Sequence, residues 1–128
     1  MPKFQPDDWH TVTPRIVVRE PEKLVAFIKH VFHARGEFSP GRPAEIRIGD
    51  SVVMVSDGAG LRDPVSTFLY VYVEDTDSTY ERAIAASAIS IERPGDMPYG
   101  DRRAMVKDPW GNFWQIATRK HDDSPRRK

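Results

Sequence analysis

Arg102 and Arg103 directly follow Asp101, with Tyr99 two residues before it and Glu92 a short stretch upstream. Guanidinium groups match carboxylates and phosphates in bidentate fashion, so this run can grip an anion; it can equally pair internally with Asp101 or Glu92. Tyr99 precedes a strand, where its phenol can serve as an acid or simply anchor the loop. The four histidines are His10, His30, His33 and His121. His30 and His33 lie on the water-facing side of a helix, where a two-ligand pairing makes at most a weak zinc site; His10 precedes the first strand and His121 lies in the tail. Cysteine is absent, which removes disulfides, thiolate nucleophiles and cysteine-ligated metals together. Neither a glycine-rich phosphate loop nor a Gly-x-Ser-x-Gly elbow occurs. Any chemistry falls to oxygen, imidazole and guanidinium groups.

The elements that must position these residues follow from periodicity. Thr11 to Arg19 carries β-branched residues on both parities (Val12, Thr13, Ile16, Val17, Val18) and predicts a strand buried on two sides. Pro21 opens a helix at a position where its missing N–H costs nothing. Leu24, Phe27, Ile28 and Val31 then repeat at i, i+3, i+4 and i+7, which turns Lys29, His30 and His33 to water. A short extended piece near Gly36 to Ser39 follows, then alternating Ala44, Ile46 and Ile48, a Gly49-Asp50 turn, and a return strand from Ser51 to Ser56. The segment Asp57 to Ser66 reads as a loop. Beyond it the order recurs: strand Thr67 to Glu74, helix Asp75 to Ala88 with Asp75 or Thr76 as N-cap, strand Ile89 to Arg93, then a hairpin. Asp108-Pro109-Trp110-Gly111 carries the preferences of a type I turn and folds the hairpin back antiparallel. Ser87, where a left-handed helix end favours glycine, predicts that the second helix ends differently.

The fold class is therefore α+β, with two βαβββ modules in one domain. An N-terminal extension covers 1–10, module one 11–56, module two 67–118, and 119–128 forms a frayed tail. The 128 residues suit one domain, and 19 basic against 19 acidic residues leave no net field for nucleic acid or an anionic membrane. No signal-peptide core or run of about 18 apolar residues occurs, so a soluble cytoplasmic protein is expected.

Several stretches, in this order, resemble the vicinal oxygen chelate superfamily of glyoxalases, bleomycin-resistance proteins and dioxygenases, and within it the PhnB-like subgroup. They are Val12-Thr13-Pro14 with Val17-Val18, Phe27 with Val31-Phe32, Ala44 to Asp50, Tyr70 to Asp75, Arg82-Ala83 with Ala85-Ala86, and Tyr99 to Trp114. The resemblance implies curved mixed sheets around a concave cavity, helices on the convex side, and a homodimer. It also locates the four positions at which metal-dependent members place ligands: Thr13, Met54, Phe68 and Gln115. Thioether and phenyl groups do not hold a hard divalent cation, and a lone amide is a weak donor, so no metal and no cofactor are expected.

If those four point inward, strand alternation puts Arg15, Tyr70, Tyr72 and Phe113 on the same side, as it does Thr11, Val17, Val52, Ser56 and Ala117. The expected ligand-binding set is Thr13, Arg15, Met54, Phe68, Tyr70, Tyr72, Arg103, Phe113 and Gln115, with no carboxylate assigned to the inner face. Such a lining suits a planar or amphipathic small molecule; it also suits a closed core or a subunit contact. Trp114 has the opposite parity and packs beneath a helix, while Trp110 at the turn tip either faces solvent or closes over a ligand. The expected function is metal-independent small-molecule binding, by sequestration. The alternatives are a lyase, isomerase or dioxygenase-like enzyme with an atypical site, and a purely structural module.

Overall fold

The computed structural model describes residues 3–120, and the chain divides between Val65 and Ser66 into two compact units, each built around its own sheet. In the N-terminal unit, β1 (Arg15–Val17), α1 (Pro21–Phe32), β2 (Ala44–Ile48) and β3 (Ser51–Ser56) form a three-stranded sheet in the order β1-β3-β2. β1 runs parallel to β3, and β2 antiparallel to it. In the C-terminal unit, β4 (Phe68–Tyr72), α2 (Thr76–Ala85), β5 (Ile89–Asp96), β6 (Asp101–Lys107) and β7 (Phe113–Arg119) give the order β4-β7-β6-β5, with β4 parallel to β7 and the other pairs antiparallel.

Each sheet has a helix on one face. Leu24, Val25, Phe27, Ile28 and Val31 are the buried residues of α1, which packs on β2 and β3 against Ala44, Ile46, Val53 and Val55. Each such side chain contributes about 1.5–3 kcal/mol by leaving water, enough to hold a helix that is short of stability alone. Pro21 stands at the start of α1 as the sequence predicts, and His30 and His33 are exposed. In the C-terminal unit α2 packs on β5, β6 and β7, over a core of Ala83, Ala104, Val106, Trp114 and Ile116. Trp114 is completely buried, in keeping with its parity.

The structure corrects the sequence reading in five places. The first strand is confined to Arg15–Val17, and Val12 is 79% exposed, so it is not buried on both sides. Pro14 has no N–H to give the ladder, although its carbonyl still accepts from Met54 N at 2.9 Å. The piece near Gly36 to Ser39 is no strand: pairing stops after one bridge, Arg35 with Arg47. Gly36 has φ +131 and lies so close to β2 that a Cβ would meet Glu45 O at 2.5 Å, and Pro40 and Pro43 lack donors, so this segment leaves the sheet as a loop. Module one is thus βαββ. β5 extends to Asp96 through Pro94 and Gly95, which an edge strand with two register shifts tolerates.

The second helix does end left-handed, at Ser87 with φ 80. Ser87 N donates to Ile84 O and Ala88 N to Ala83 O, both at 3.0 Å, a Schellman closure made without glycine. Finally, Arg119 belongs to β7, and Lys120 N donates to Gly100 O at 2.8 Å, so the last strand runs past 118. The rest of the expected tail, 121–128, lies outside the described residues.

The β6–β7 hairpin closes as its sequence predicts, with Gly111 N donating to Asp108 O at 3.1 Å and Gly111 at φ 90. Asp108 does more than start the turn. Its buried carboxylate accepts from Trp110 N and Asn112 N at 2.9 Å, from Asn112 Nδ2, and from Trp114 Nε1 at 2.9 Å. Asn112 Oδ1 in turn accepts from Thr67 N, tying the turn to the start of β4. A buried carboxylate is costly unless its lone pairs are filled, and here the turn and the core indole fill them.

Candidate functional site

Alternation along β4, β6 and β7 places one set of side chains on the face of the C-terminal sheet that α2 leaves open. Phe68, Tyr70 and Tyr72 of β4 register with Phe113, Gln115 and Ala117 of β7. Gln115 then faces Met105 of β6, and Arg103 pairs with Ala117. Phe68 and Phe113 stack with centroids 5.7 Å apart, Tyr70 and Tyr72 tilt at 5.4 Å, and the Lys107 ammonium sits 5.6 Å over the Phe113 ring. Six of the nine residues expected from sequence therefore share one face. Phe68 is 61% and Tyr72 52% exposed, leaving an aromatic stripe that its own unit does not cover.

The polar groups of this face form a directed network. Arg103 Nη1 donates to the Tyr99 hydroxyl at 3.3 Å, and because the Tyr70 proton goes to Asp101, Tyr99 is the donor in its 2.9 Å bond with Tyr70. Tyr70 and Tyr72 donate to Asp101 Oδ2 at 2.7 and 2.8 Å. Burial, reinforced by hydrogen bonds with Tyr99 and Asp101, raises the Tyr70 phenol above its ordinary value. Tyr70 is thus fixed as a neutral donor, poorly suited to losing a proton near neutrality. Asp101 is 1% exposed and lies 3.0 Å from Arg119 Nε through Oδ1, an approach that makes an ion pair but no hydrogen bond; among the described residues Oδ1 accepts none.

The arginines of the Asp101 run are both engaged. Arg103 holds Glu92 bidentately at 3.1 and 3.0 Å. Desolvation is the largest single influence and acts to lower its pKa, but the hydrogen bonds and charges of Glu92 and Tyr99 together outweigh it and the net shift is upward. Arg102 turns to the helix face, where it grips Asp77 of α2 at 2.6 and 3.0 Å and Asp96 at 3.1 Å. These bonds hold the Asp77 carboxyl below its ordinary value. Of the two uses that sequence left open for this run, the structure shows internal pairing. It also puts two carboxylates, Asp101 and Glu92, on the open face where none was assigned; both are already partnered by arginine and phenol groups.

The remaining expected residues lie in the N-terminal unit. Met54 is half-buried in β3, in register with Arg15 and Glu45, while half-buried Thr13 precedes β1. Arg15 borders a cavity of about 590 Å³ walled by Val17, Ser56, the loop holding Phe38 and Arg42, and the turn from Asp57 to Arg62. Sequence reading missed Arg42, Arg62 and Phe38 because no periodicity marks a loop residue's direction. The one available signal was the density of Gly and Pro around them, at 36, 40, 41, 43, 58, 60 and 64.

A divalent metal needs several hard donors, and the four positions that the resemblance assigns to ligands, Thr13, Met54, Phe68 and Gln115, hold a hydroxyl, a thioether, a phenyl ring and an amide. Among the described residues no three His, Asp or Glu side chains gather to supply another set. The side chains present do not fit such an ion.

This architecture, two open mixed sheets of three and four strands with a helix on each, is shared by a broad class of small α+β domains. A family profile described as the Glyoxalase/Bleomycin resistance protein/Dioxygenase superfamily matches residues 10–116. The chain belongs to that superfamily. Among curated proteins it is similar to an uncharacterised protein of Mycobacterium bovis (strain ATCC BAA-935 / AF2122/97), 27% identical over an alignment that covers 83% of this chain and 81% of that protein. An uncharacterised protein of Mycobacterium tuberculosis shows the same identity, with 72% of its length covered. Among solved structures, TioX from Micromonospora sp. ML1 superposes with a TM-score of 0.72 at 24% identity, over 86% of this chain and 98% of that one. A glyoxalase/bleomycin resistance protein/dioxygenase family enzyme from Burkholderia phytofirmans PsJN superposes at 0.70 with 21% identity, over 84% and 96%. At these identities the two structures attest the fold.

Proposed function

We propose that this protein binds a planar or amphipathic small molecule on the open aromatic face of its C-terminal sheet, without a metal, and sequesters it. The observation that carries the reading is the aromatic stripe of exposed Phe68, Tyr70 and Tyr72 with half-buried Phe113, on a face where relatives would place metal donors. Flat aromatic surface binds at low entropic cost, and Gln115 can orient a polar end. Sequestration fits this face better than turnover, because Tyr70 keeps its proton and Arg103 is committed to Glu92 and Tyr99. The reading places the chain in the PhnB-like branch on the strength of Tyr70 to Asp75 and Tyr99 to Trp114. It further takes the protein to be a cytoplasmic homodimer with no nucleic-acid or membrane partner. Its zero formal charge gives no long-range attraction to nucleic acid or an anionic membrane, and among the described residues no helix is long and apolar enough to cross a membrane.

Intrinsic fluorescence titrated with a panel of planar aromatic drugs tests the reading. At least one should give a saturable change, and Tyr70→Ala and Phe68→Ala should each weaken it about three- to tenfold, the worth of an aromatic contact. Phe68→Ala separates binding from folding, since that ring is mostly exposed. A response absent across the panel, or untouched by both substitutions, contradicts the proposal.

A further inference from the structure

The cavity of the N-terminal unit brings three arginines to one hollow. Arg15 reaches it from β1, Arg42 from the loop after α1, and Arg62 from the turn after β3. Three other arginines are held in ion pairs, Arg102 by Asp77 and Asp96, Arg103 by Glu92 and Arg119 by Asp101. Among the described residues, none of the three cavity arginines takes part in an ion pair. The lining includes a single carboxylate, Asp57, and its Oδ1 already accepts from Ala59 N at 2.9 Å, capping the turn. Pro21 also lines the cavity, so the positive end of the α1 dipole borders it and adds to the field. The remaining wall is apolar, with Val17, Phe38 and Leu61. A volume of about 590 Å³ falls within the range of about 300–1,000 Å³ of small-molecule sites.

Three exposed guanidiniums line one hollow whose lining includes a single carboxylate, so their charges favour an anion there. We propose that this cavity, none of whose lining residues belongs to the aromatic face, is a second binding site and that it takes a small organic oxyanion. A carboxylate or phosphoryl group is held by Arg15, Arg42 and Arg62, while an apolar body lies against Phe38 and Val17. Guanidinium suits both headgroups, because its planar fork meets two oxygens at once.

Calorimetric titration of the full chain with phenyl phosphate and with benzoate, and with benzamide as the neutral counterpart, tests this site. At least one anion should saturate at one per chain while benzamide does not, and its affinity should fall as salt rises. Arg42→Gln and Arg62→Gln should each weaken the anion about tenfold, as expected for loss of a charge-assisted hydrogen bond. Arg62→Lys, which keeps the charge but loses the fork, should fall between wild type and Arg62→Gln. Inorganic phosphate should bind more weakly than phenyl phosphate, for want of an apolar body. Phe68→Ala should leave anion binding unchanged, which keeps this test apart from that of the aromatic face. The proposal is overturned if neither anion saturates, if benzamide binds equally well, if inorganic phosphate binds as tightly as phenyl phosphate, or if both glutamine variants bind like wild type.

Discussion

Tyr70 shows how a residue suited by type to acid–base work is disarmed by its neighbours. Its hydroxyl donates to a buried carboxylate and lies against a second phenol, so ionisation would put like charges together in a partly desolvated place. The shift has a thermodynamic consequence with a definite sign. The folded-state value is raised above the ordinary 10.0, so the stabilisation is fully present below pH 10.0 and is lost as pH rises towards the folded value, because the unfolded chain releases the proton first. Unfolding free energy measured by urea titration should therefore decline above about pH 10, and Tyr70→Phe should flatten part of that decline. An equal slope in both proteins would mean that the phenol is not held by the network. Sequence made Tyr70, Tyr72 and Gln115 legible as companions, since period-two alternation is set by the pleat. It could not reveal which hydroxyl faces which carboxylate, because Tyr99 and Asp101 come to β4 only through the strand order β4-β7-β6-β5.

Among the elements, the strongest sequence signals were those whose local chemistry and tertiary environment agree. Pro21 and the apolar repeat of α1, the Asp75 cap of α2, which accepts from Ser78 N at 3.2 Å, and the Asp108 to Gly111 turn all form where expected. The failures came where a tertiary term outweighed a local one. Gly36 and two prolines removed a strand from module one, while an edge position let β5 run through Pro94. At Ser87 the Schellman hydrogen bonds and the burial of Ala88 hold the helix end left-handed despite the Cβ. That conformation costs a non-glycine residue about 1 kcal/mol. Ser87→Gly should therefore raise stability by about 0.5–1 kcal/mol, read as an increased urea midpoint at unchanged slope. A loss of stability would show that the serine side chain, rather than the backbone, secures this end.

On the scale of the whole molecule, the repeat visible in the sequence survives as two units with the same parallel pairing, β1 with β3 and β4 with β7, and the same one-sided helix. The two have diverged in what their open surfaces offer. The C-terminal sheet presents stacked rings beside the Arg103–Glu92 pair, and the N-terminal unit presents a hollow rimmed by arginines. Family membership and fold were legible because they depend on the order of elements. The arginine-lined hollow was not, because the loop that walls it exists only where an expected strand failed to form.

The account rests on the claim that this chain lacks the donors to hold a divalent ion at the family's metal positions. Metal analysis of untagged protein, dialysed without chelator, tests that claim most directly. The prediction is Ni, Zn, Mn and Fe far below one equivalent per chain, with aromatic-ligand binding unchanged after added chelator; near-stoichiometric retained metal, or binding abolished by the chelator, would contradict it.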